Sequence, residues 1–451
     1  MWFKVNDTIV AISTALGEGA ISIIRVSGDD AIKIINPLFD GKDLEKASSH
    51  TINYGHIVYN GEIIDEVLLS IMKAPKTYTK EDVIEINTHG SIAVVNKIME
   101  ILLLEGCRLA EPGEFTKRAF LNGRIDLTES EGVMDLINSE TELTRKMAIN
   151  ELSGNVSRLI TDTREDIISL ISNIEVNIDY PEYEDIEVVT INKIREKVRE
   201  IKEKLLKTLK LSEDGKILKD GIKTVILGKP NVGKSSLLNA LLEEEKAIVT
   251  DVKGTTRDIV EGSILVGGVK LNLIDTAGVR KSDDIVEKIG IEKSLNLIDE
   301  AELVLLILDA SCPLSEEDKY LLEKTKDKKR IIIMNKIDLN LNNSYMDDVI
   351  KISAKNNEGI EDIKDAIKKL FNVGTFMSKN LTFFTNVRQI SLLKSAIKSL
   401  EDVEQGIKEE REIDMIEIDL KLVWEKLGDI IGANYTEELI DNLFSRFCLG
   451  K

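Results

Sequence analysis

The feature that most constrains this fold is a central stretch in which short β-branched runs alternate with helical patterns. Between about Lys216 and Gly374 the runs are TVILG, LNLID, LVLLILD, RIIIMN and VIKIS. Near-continuous apolar strands of this kind are typical of a parallel sheet that is covered by helices on both faces. The stretch therefore predicts an inserted α/β domain over residues 215–374.

Helical patterns flank this stretch on both sides, rich in Leu, Ile, Glu and Lys and interrupted near Pro181. Each helical block has an apolar stripe that needs a partner. We therefore expect one discontinuous helical domain, formed by residues 119–214 and 375–451, into which the α/β domain is inserted. Two separate helical regions are the alternative.

The first 118 residues have a third pattern. Short β-like runs, among them DTIVAIST and DVIEIN, alternate with Gly, Pro and Asn, and one helical run extends from about Ile92 to Leu104. This mixture predicts a small α+β domain over residues 1–118. The chain is thus expected to be a multidomain protein of α/β and α parts, in keeping with its 451 residues.

Charge and cysteine usage narrow the class of protein further. The net charge of −20 argues against a protein that wraps nucleic acid or anionic membrane by bulk charge. Three scattered cysteines and three histidines offer neither a disulfide framework nor metal-ligand spacing. Because we find no signal peptide and no long uncharged apolar run, we expect a cytoplasmic protein with no membrane span.

A phosphate-binding motif lies at the start of the α/β stretch. The segment GKPNVGKS, residues 228–235, follows the strand-like TVIL and opens the helix-like SSLLNALL. Its glycines let the backbone close around phosphates, and the helix N-terminus adds N–H donors that face the anion. We expect Lys234 to neutralise the β and γ phosphates of a nucleotide and Ser235 to ligate Mg²⁺.

Three further segments follow in the order that a guanine nucleotide requires. DTAG, residues 275–278, ends a strand-like run, where Asp275 can hold a Mg²⁺-bound water. NKID follows IIIM, and the carboxylate of Asp338 matches the ring N–H and exocyclic amine of guanine, an edge that adenine lacks. SAK, residues 353–355, is expected to close the base pocket. Together these segments predict a Ras-like P-loop G domain that binds GTP.

The switch region leaves the residue that orients the attacking water open. Thr256 in the segment GTTRD is the expected second hydroxyl ligand of Mg²⁺, whereas Val279 stands where a Ras-like protein has a water-orienting Gln. Glu287 is one candidate for that role, with Arg257 and Arg280 as charge-stabilising competitors. From its surroundings alone, Glu287 is more typical of a helix-face carboxylate than of a catalytic residue.

The combination of these motifs resembles the tRNA modification GTPase family MnmE, also called TrmE. The G domain inside a helical domain, the GTTRD segment and the terminal FCLGK carry the resemblance. It extends to DTIVAIST, IIRVSG and EDVIEINTHG in the first region, and to EPGEFTKRAFLNGRIDLTESEGVMDLI at residues 111–137. The resemblance therefore covers the whole chain.

This resemblance implies a GTPase that uses K⁺ in place of an arginine finger, between two G domains that meet across their switch faces. The implied K⁺ ligands are the side chain of Asn231 and backbone carbonyls at Thr250, Val252 and Thr255. The resemblance also implies that Glu287 orients the attacking water. The positions expected to contact GTP are Asn231, Val232, Gly233, Lys234, Ser235, Ser236, Thr250, Asp251, Val252, Lys253, Gly254, Thr255, Thr256, Asp275, Thr276, Ala277, Gly278, Asn335, Lys336, Asp338, Ser353 and Ala354.

For the N-terminal domain the resemblance implies dimerisation and binding of 5-formyltetrahydrofolate or a related tetrahydrofolate. The matching positions are Arg25, Glu85, Arg124 and Lys451. Taken without the family, each would be a surface charge or part of a salt bridge. Cys448 is implied to lie near the folate, where it is either a reactive thiol or a small residue that packs the tail.

The function implied is K⁺-dependent GTP hydrolysis by a homodimer, coupled to tRNA modification. With MnmG (GidA), an FAD- and NADH-dependent partner, the family forms a heterotetramer or larger complex. It adds an aminomethyl or carboxymethylaminomethyl group to C5 of the wobble uridine of certain tRNAs. The alternatives are a ribosome-assembly or translational GTPase, which predicts a basic RNA-binding domain, and a folate-dependent one-carbon transferase that GTP regulates.

Overall fold

The computed structural model describes residues 7–15, 17–179, 191–244, 262–274, 297–339, 348–377, 381–447 and 450. Contacts among Cα atoms divide the chain into two compact units. The first draws on residues 1–134, 160–187 and 414–451, and the second on residues 135–159 and 188–413. The domain boundaries expected near residues 118, 214 and 374 stay predictions.

The first unit contains a seven-stranded sheet in the order β3-β4-β5-β6-β2-β1-β7. Every neighbouring pair is antiparallel except β1 and β7, which run parallel. Alternate residues of the strands pack on one face against α1 and α2 to form an apolar core. The strands are β1 (Ile9–Ile12), β2 (Gly19–Ser27), β3 (Phe39–Asp40), β4 (Thr51–Tyr59), β5 (Glu62–Met72), β6 (Val83–Gly90) and β7 (Arg108–Leu109), and the helices are α1 (Ala31–Ile35) and α2 (Ile92–Leu104).

Longer helices follow this sheet along the chain. The helix α2 has the bounds that the sequence predicted. The strand β4, by contrast, was not among the β-like runs that the sequence predicted. A small aromatic and aliphatic cluster, which includes Phe120 and Phe444, joins α3 to α14 within the first unit. The helices in and beside this unit are α3 (Glu114–Leu121), α4 (Leu127–Ile137), α6 (Asn155–Asp179), α13 (Ile413–Ile431) and α14 (Glu437–Phe444).

The second unit contains a six-stranded sheet in the order β13-β12-β11-β8-β10-β9. All neighbours are parallel except β9 and β10, which form an antiparallel hairpin. Separate apolar cores cover the two faces of the sheet, as a mostly parallel sheet requires. The strands are β8 (Ile222–Leu227), β9 (Ser263–Val266), β10 (Val269–Leu273), β11 (Leu303–Asp309), β12 (Arg330–Asn335) and β13 (Val349–Lys351).

This sheet confirms the predicted Ras-like α/β fold, and each of the five β-branched runs supplies one of its strands. Among the named helices of the described residues, three follow the α/β pattern and four more belong to the same compact unit. The first three are α8 (Lys234–Glu244), α9 (Glu316–Lys324) and α10 (Ile360–Leu370). The other four are α5 (Glu142–Leu152), α7 (Ile191–Asp220), α11 (Val373–Phe376) and α12 (Val387–Lys408).

The helix α7 leads into the sheet through a single residue. Gly221 lies between the end of α7 and the start of β8 and has a φ of 89°, which favours glycine. A Cβ at this position would lie 2.8 Å from Nδ2 of Asn272 on β10. The same Nδ2 donates to the carbonyls of Asp220, at 2.9 Å, and Gly221, at 3.2 Å. Strand β10 therefore holds the joint between α7 and β8.

Candidate functional site

The phosphate loop lies between the carboxyl end of β8 and the first turn of α8, as the sequence predicted. Gly228 has a φ of 151° and Gly233 a φ of 99°. A Cβ at Gly228 would lie 2.4 Å from the carbonyl oxygen of Ile307, and one at Gly233 would lie 2.2 Å from Nδ2 of Asn335. Both glycines are therefore needed for the loop to pass this close to β11 and β12.

The side chain of Lys234, the first residue of α8, folds back into this loop. Its Nζ donates to the carbonyl oxygens of Gly228, at 2.6 Å, and Lys229, at 3.0 Å. Burial lowers the pKa of the Lys234 ammonium because the charged form loses water contacts. Ser235 and Ser236 are exposed in the first turn of α8, where unpaired N–H groups and the helix dipole favour an anion. This end of the sheet is chemically suited to bind phosphate.

Asn335 connects three of the four segments that the sequence assigned to the nucleotide. The residue ends β12 and is buried. Its Nδ2 donates to the carbonyl of Val232 in the phosphate loop, at 2.8 Å, and its Oδ1 accepts from the N–H of Ala354, at 3.0 Å. The phosphate loop and the segment at 353–355 are therefore fixed to the same strand end.

Asp338 and Ser353 also lie together. The hydroxyl of the buried Ser353 donates to Oδ1 of Asp338 at 2.7 Å, and the Asp338 side chain is exposed. An exposed carboxylate with one oxygen oriented by a neighbour can accept hydrogen bonds from two ligand donors. That Asp338 recognises the guanine edge stays a prediction.

Lys336 is held by a carboxylate that the sequence analysis did not single out. Its Nζ lies 2.6 Å from Oδ2 of Asp309, which ends β11. Burial would raise the pKa of Asp309, but hydrogen bonds from Lys336 and Ser311 outweigh it, so the pKa of this carboxyl is lowered. Asp309 ends the apolar run LVLLILD, and β11 therefore brings it to the same sheet edge as the nucleotide motifs. Its position at the end of that run could have identified it from the sequence.

Several predicted residues lie outside the described part of the chain. These include the switch residues, the DTAG segment, the proposed water-orienting residue and the end of the tail. Their roles stay predictions. They are Thr250, Asp251, Val252, Lys253, Gly254, Thr255, Thr256, Asp275, Thr276, Ala277, Gly278, Glu287, Cys448 and Lys451.

In the first unit, Arg25 and Glu85 face each other across β2 and β6. They are register partners, and Nη2 of Arg25 lies 2.8 Å from Oε1 of Glu85. Nη1 of the same Arg25 donates to the carbonyl of Gly450, at 3.1 Å, which also accepts from the hydroxyl of Ser13. The end of the described tail thus lies against Arg25, one of the positions predicted for folate.

Arg124, the third described folate position, lies near the same aromatic cluster as Arg25. The guanidinium carbon of Arg25 is 5.6 Å from the ring centre of Phe115, and that of Arg124 is 4.7 Å from the ring centre of Tyr78. Phe115 and Tyr78 belong to one apolar cluster. Two cations and one carboxylate therefore lie around a shared aromatic patch, a combination that suits an anionic ring compound.

A polar cleft of about 190 Å³ lies beside α5 in the second unit, away from the phosphate loop. Nζ of Lys219 lies 2.5 Å from Oδ2 of Asp135 and donates to the hydroxyl of Thr385 at 3.1 Å. That hydroxyl also donates to Oε1 of the fully buried Glu151, at 2.8 Å. Burial, reinforced by the negative charge of Asp135, raises the pKa of Glu151 to about 8. Sequence patterns gave no signal for this cluster.

Two further kinds of feature, a metal-binding cluster and a membrane-spanning helix, are absent from the described residues. Among them, no group of three or more His, Cys, Asp and Glu side chains is arranged to hold a metal ion. No described helix is both long enough and apolar enough to cross a membrane.

Similarity to known proteins decides the family. A family profile described as "MnmE helical domain" matches residues 127–448, and one described as "GTP-binding protein TrmE N-terminus" matches residues 8–124. The "tRNA modification GTPase MnmE" of Streptococcus thermophilus is 54% identical over 99% of this chain and 99% of its own length. The chain belongs to the MnmE family of tRNA modification GTPases. Proteins of the same name from Streptococcus pneumoniae strain D39 and Streptococcus mutans are 52% and 51% identical, each over 99% of both chains.

As a member of the MnmE family, the chain is a GTPase. Part of the chain is also similar to solved G domains. The FeoB G domains of Methanococcus jannaschii and T. maritima are 26% and 32% identical to it. They cover 34% and 33% of this chain and 98% of their own chains, each with a TM-score of 0.24.

Proposed function

We propose that this MnmE-family GTPase is a K⁺-dependent GTP hydrolase that works with MnmG in tRNA modification. Together they would add an aminomethyl or carboxymethylaminomethyl group to C5 of the wobble uridine of certain tRNAs. The observation that carries the proposal is the similarity to tRNA modification GTPases over 99% of both chains. The joined phosphate and base loops support the nucleotide part of it.

In the G domain, this proposal gives each of the predicted residues a defined task. Lys234 would exchange its two carbonyl partners for the β and γ phosphates, and the N-terminus of α8 would donate N–H groups to them. Asp338, oriented by Ser353, would accept from the guanine edge. Ser235 and Thr256 would hold Mg²⁺, which when bound neutralises phosphate charge. Glu287 would orient the attacking water.

The K⁺ dependence rests on Asn231, which is exposed in the phosphate loop with a φ of 62°. Its side-chain oxygen is a suitable cation ligand, with carbonyls at Thr250, Val252 and Thr255 as the other proposed ligands. GTP turnover measured in KCl and in NaCl of equal ionic strength tests this. We expect faster turnover in KCl, and loss of the difference in Asn231→Ala. Equal rates for the unmodified protein would contradict the proposal.

Glu287 is tested by kinetics. If it orients water, Glu287→Ala slows GTP hydrolysis strongly and leaves the Kd for GDP nearly unchanged, because the side chain acts only in the reaction. A large loss of GDP affinity with unchanged turnover would assign it a structural role instead.

In the first unit, we propose that 5-formyltetrahydrofolate binds near Arg25, Glu85 and Arg124, with Lys451 as a further ligand. The cations suit its glutamate carboxylates, and Glu85 can accept from pterin N–H donors. Calorimetric titration with 5-formyltetrahydrofolate should show binding that Arg25→Met abolishes. Arg145→Met, at an exposed arginine of α5, is the control and should bind normally. Cys448 would lie nearby as a reactive thiol, which Cys448→Ala tests through tRNA modification.

The complete reaction is tested with purified protein, MnmG and tRNA that lacks the modification. With GTP, K⁺, folate, FAD and NADH present, we expect modified wobble uridine, and none without either protein. Absence of product under these conditions would leave a ribosome-assembly GTPase or a GTP-regulated one-carbon transferase as the better reading. Light scattering with and without MnmG tests the proposed homodimer and its larger complex.

A further inference from the structure

A buried carboxylate outside the predicted nucleotide motifs contacts the phosphate loop. Asp318 lies in the first turn of α9, and its side chain is 2% exposed. Its Oδ2 lies 2.8 Å from Nζ of Lys229, the second residue of the loop segment GKPNVGKS. Lys229 and Asp318 are 89 residues apart in the sequence, so this ion pair joins the phosphate loop to a distant helix.

The same oxygen of Asp318 completes a capping box. It accepts from the N–H of Ser315, at 2.9 Å, and from the Ser315 hydroxyl, at 2.8 Å. The Ser315 hydroxyl in turn accepts from the N–H of Asp318. Because the cap fixes the carboxylate on the helix, Asp318 presents Lys229 with a rigid partner rather than a mobile surface charge.

Lys229 and Asp318 each stabilise the charged form of the other. The hydrogen bond to Asp318 raises the pKa of Lys229. Burial would raise the pKa of Asp318, but the bonds from Lys229 and Ser315 outweigh it and lower this pKa. Among the described residues, Oδ1 of Asp318 has no hydrogen-bond partner. Removal of Lys229 would therefore leave a buried carboxylate without its counter-charge, which is costly.

The pair fixes a part of the loop that Asn335 does not reach. Asn335 holds the loop at the Val232 carbonyl, in its second half. Lys229 lies in the first half, and its own carbonyl accepts from Lys234. When Lys234 leaves that carbonyl for a phosphate, the Lys229 side chain can still hold the loop against α9.

We propose that Asp318 is a positioning residue for GTP, which holds the first half of the phosphate loop in its binding conformation through Lys229. The proposal rests on the assignment of residues 228–235 to the phosphates. Because the loop grips the phosphates in the ground state and in the transition state alike, loss of the pair should raise KM more than it lowers kcat.

The test compares full-length variants by titration with a fluorescent GDP and by GTP turnover. We expect Lys229→Met and Asp318→Asn each to weaken GDP binding about tenfold, and the double variant to be no worse than either single variant, because contacting residues couple. Lys229→Arg keeps the charge and should bind within about threefold of the unmodified protein. KM for GTP should rise in parallel with Kd.

Thr141→Ala is the matched control, because it removes a capping box of the same kind from α5, whose cap does not involve Asp318 or Lys229. It should lower the unfolding temperature and leave GDP affinity unchanged. The proposal is overturned if Asp318→Asn binds GDP normally, if Thr141→Ala reproduces its loss of affinity, or if the losses of the two single variants multiply. Lys234→Ala tests the loop assignment separately: if it too binds GDP normally, the assignment of the phosphate loop is wrong, rather than the role of Asp318 alone.

Discussion

Asn335 donates its side-chain amide to the carbonyl of Val232 at 2.8 Å, across 103 residues of sequence. The bond ties the end of β12 to the phosphate loop. A Cβ at residue 233 would lie only 2.2 Å from the same Nδ2 of Asn335. The position of the Asn335 amide therefore also explains why residue 233 is glycine. The phosphate side and the base side of the nucleotide site are therefore parts of one hydrogen-bonded frame.

Removal of the Asn335 side chain should loosen this frame. Asn335→Ala leaves the carbonyl of Val232 and the N–H of Ala354 without their partners, and each buried unpaired group costs about 1–3 kcal/mol. We expect GDP affinity to fall at least about tenfold, measured by titration calorimetry. Asn356→Ala, at an exposed asparagine nearby, is the control. Equal affinities for the two variants would contradict the role of the frame.

Asp338 should determine the choice of base through the 2-amino group of guanine. Inosine nucleotides lack that amine, so the unmodified protein should bind IDP more weakly than GDP. A hydrogen bond to a charged group contributes about 1.5–3 kcal/mol, or roughly 10- to 150-fold in affinity. In Asp338→Ala the difference between GDP and IDP should disappear. A preserved difference in competition titrations would assign base recognition to another residue.

Arg118 should be the most sensitive ionic position of the first unit. Its buried guanidinium contacts Asp7, Glu81 and Glu114. Arg118→Met would leave Glu81 without its cationic partner and Asp7 and Glu114 with Arg108 alone, at a cost of about 3–5 kcal/mol in the free energy of unfolding. Trp424 belongs to this unit, so its fluorescence in a urea titration reports on the unfolding of the unit.

Lys117 provides the control for Arg118, since it precedes it in α3 but pairs with the exposed Asp441. Lys117→Met should change the free energy of unfolding by less than about 1 kcal/mol. If the two variants unfold at the same urea concentration, the buried network around Arg118 does not stabilise the unit.

Glu151 should make the second unit less stable as the pH rises. Its pKa is about 8 in the folded protein, against an ordinary value of 4.5 for a glutamate side chain. Between these values the folded state keeps a proton that the unfolded chain has released, so stability falls as the pH rises from about 4.5 to 8. Glu151→Gln cannot ionise. Its melting temperature relative to the unmodified protein should therefore increase with pH across this window, as measured by calorimetry.

The exposed Glu200 is the matched position for this experiment. Glu200→Gln should show a constant offset from the unmodified protein at every pH between 5 and 9. A constant offset for Glu151→Gln as well would mean that the carboxyl of Glu151 is already ionised in the folded protein at neutral pH.

The sequence predicted those parts of the fold and site that depend on local patterns. Apolar runs located the five strands from TVILG to VIKIS because a strand covered on both faces must be apolar throughout. The order of the motifs predicted that Lys234, Asn335 and Asp338 converge, since parallel strands end at the same sheet edge. Strand β4 was not predicted, because TINYGHIVY mixes polar residues with a glycine and one face of that strand is exposed.

Contacts between residues far apart in sequence could not be predicted in the same way. Asp318 resembles any acidic residue in a first helical turn, and only the fold brings it to Lys229. Glu151 lies in a polar-looking helix, and its burial depends on Thr385, which is 234 residues away. Such partners are set by packing, for which neither periodicity nor spacing carries a signal.

Because Gly221 joins α7 to the sheet, a small rotation at this residue corresponds to a much larger displacement at the far end of α7. At 1.5 Å per residue, the 30 residues of α7 form a rod about 45 Å long whose near end is fixed to β10 by Asn272. A turn of ten degrees at that joint would sweep the far end of the rod through about 8 Å. Since Asn272 ties β10 to this joint, a small rotation of β10 corresponds to a movement about the size of a side chain at the far end of α7.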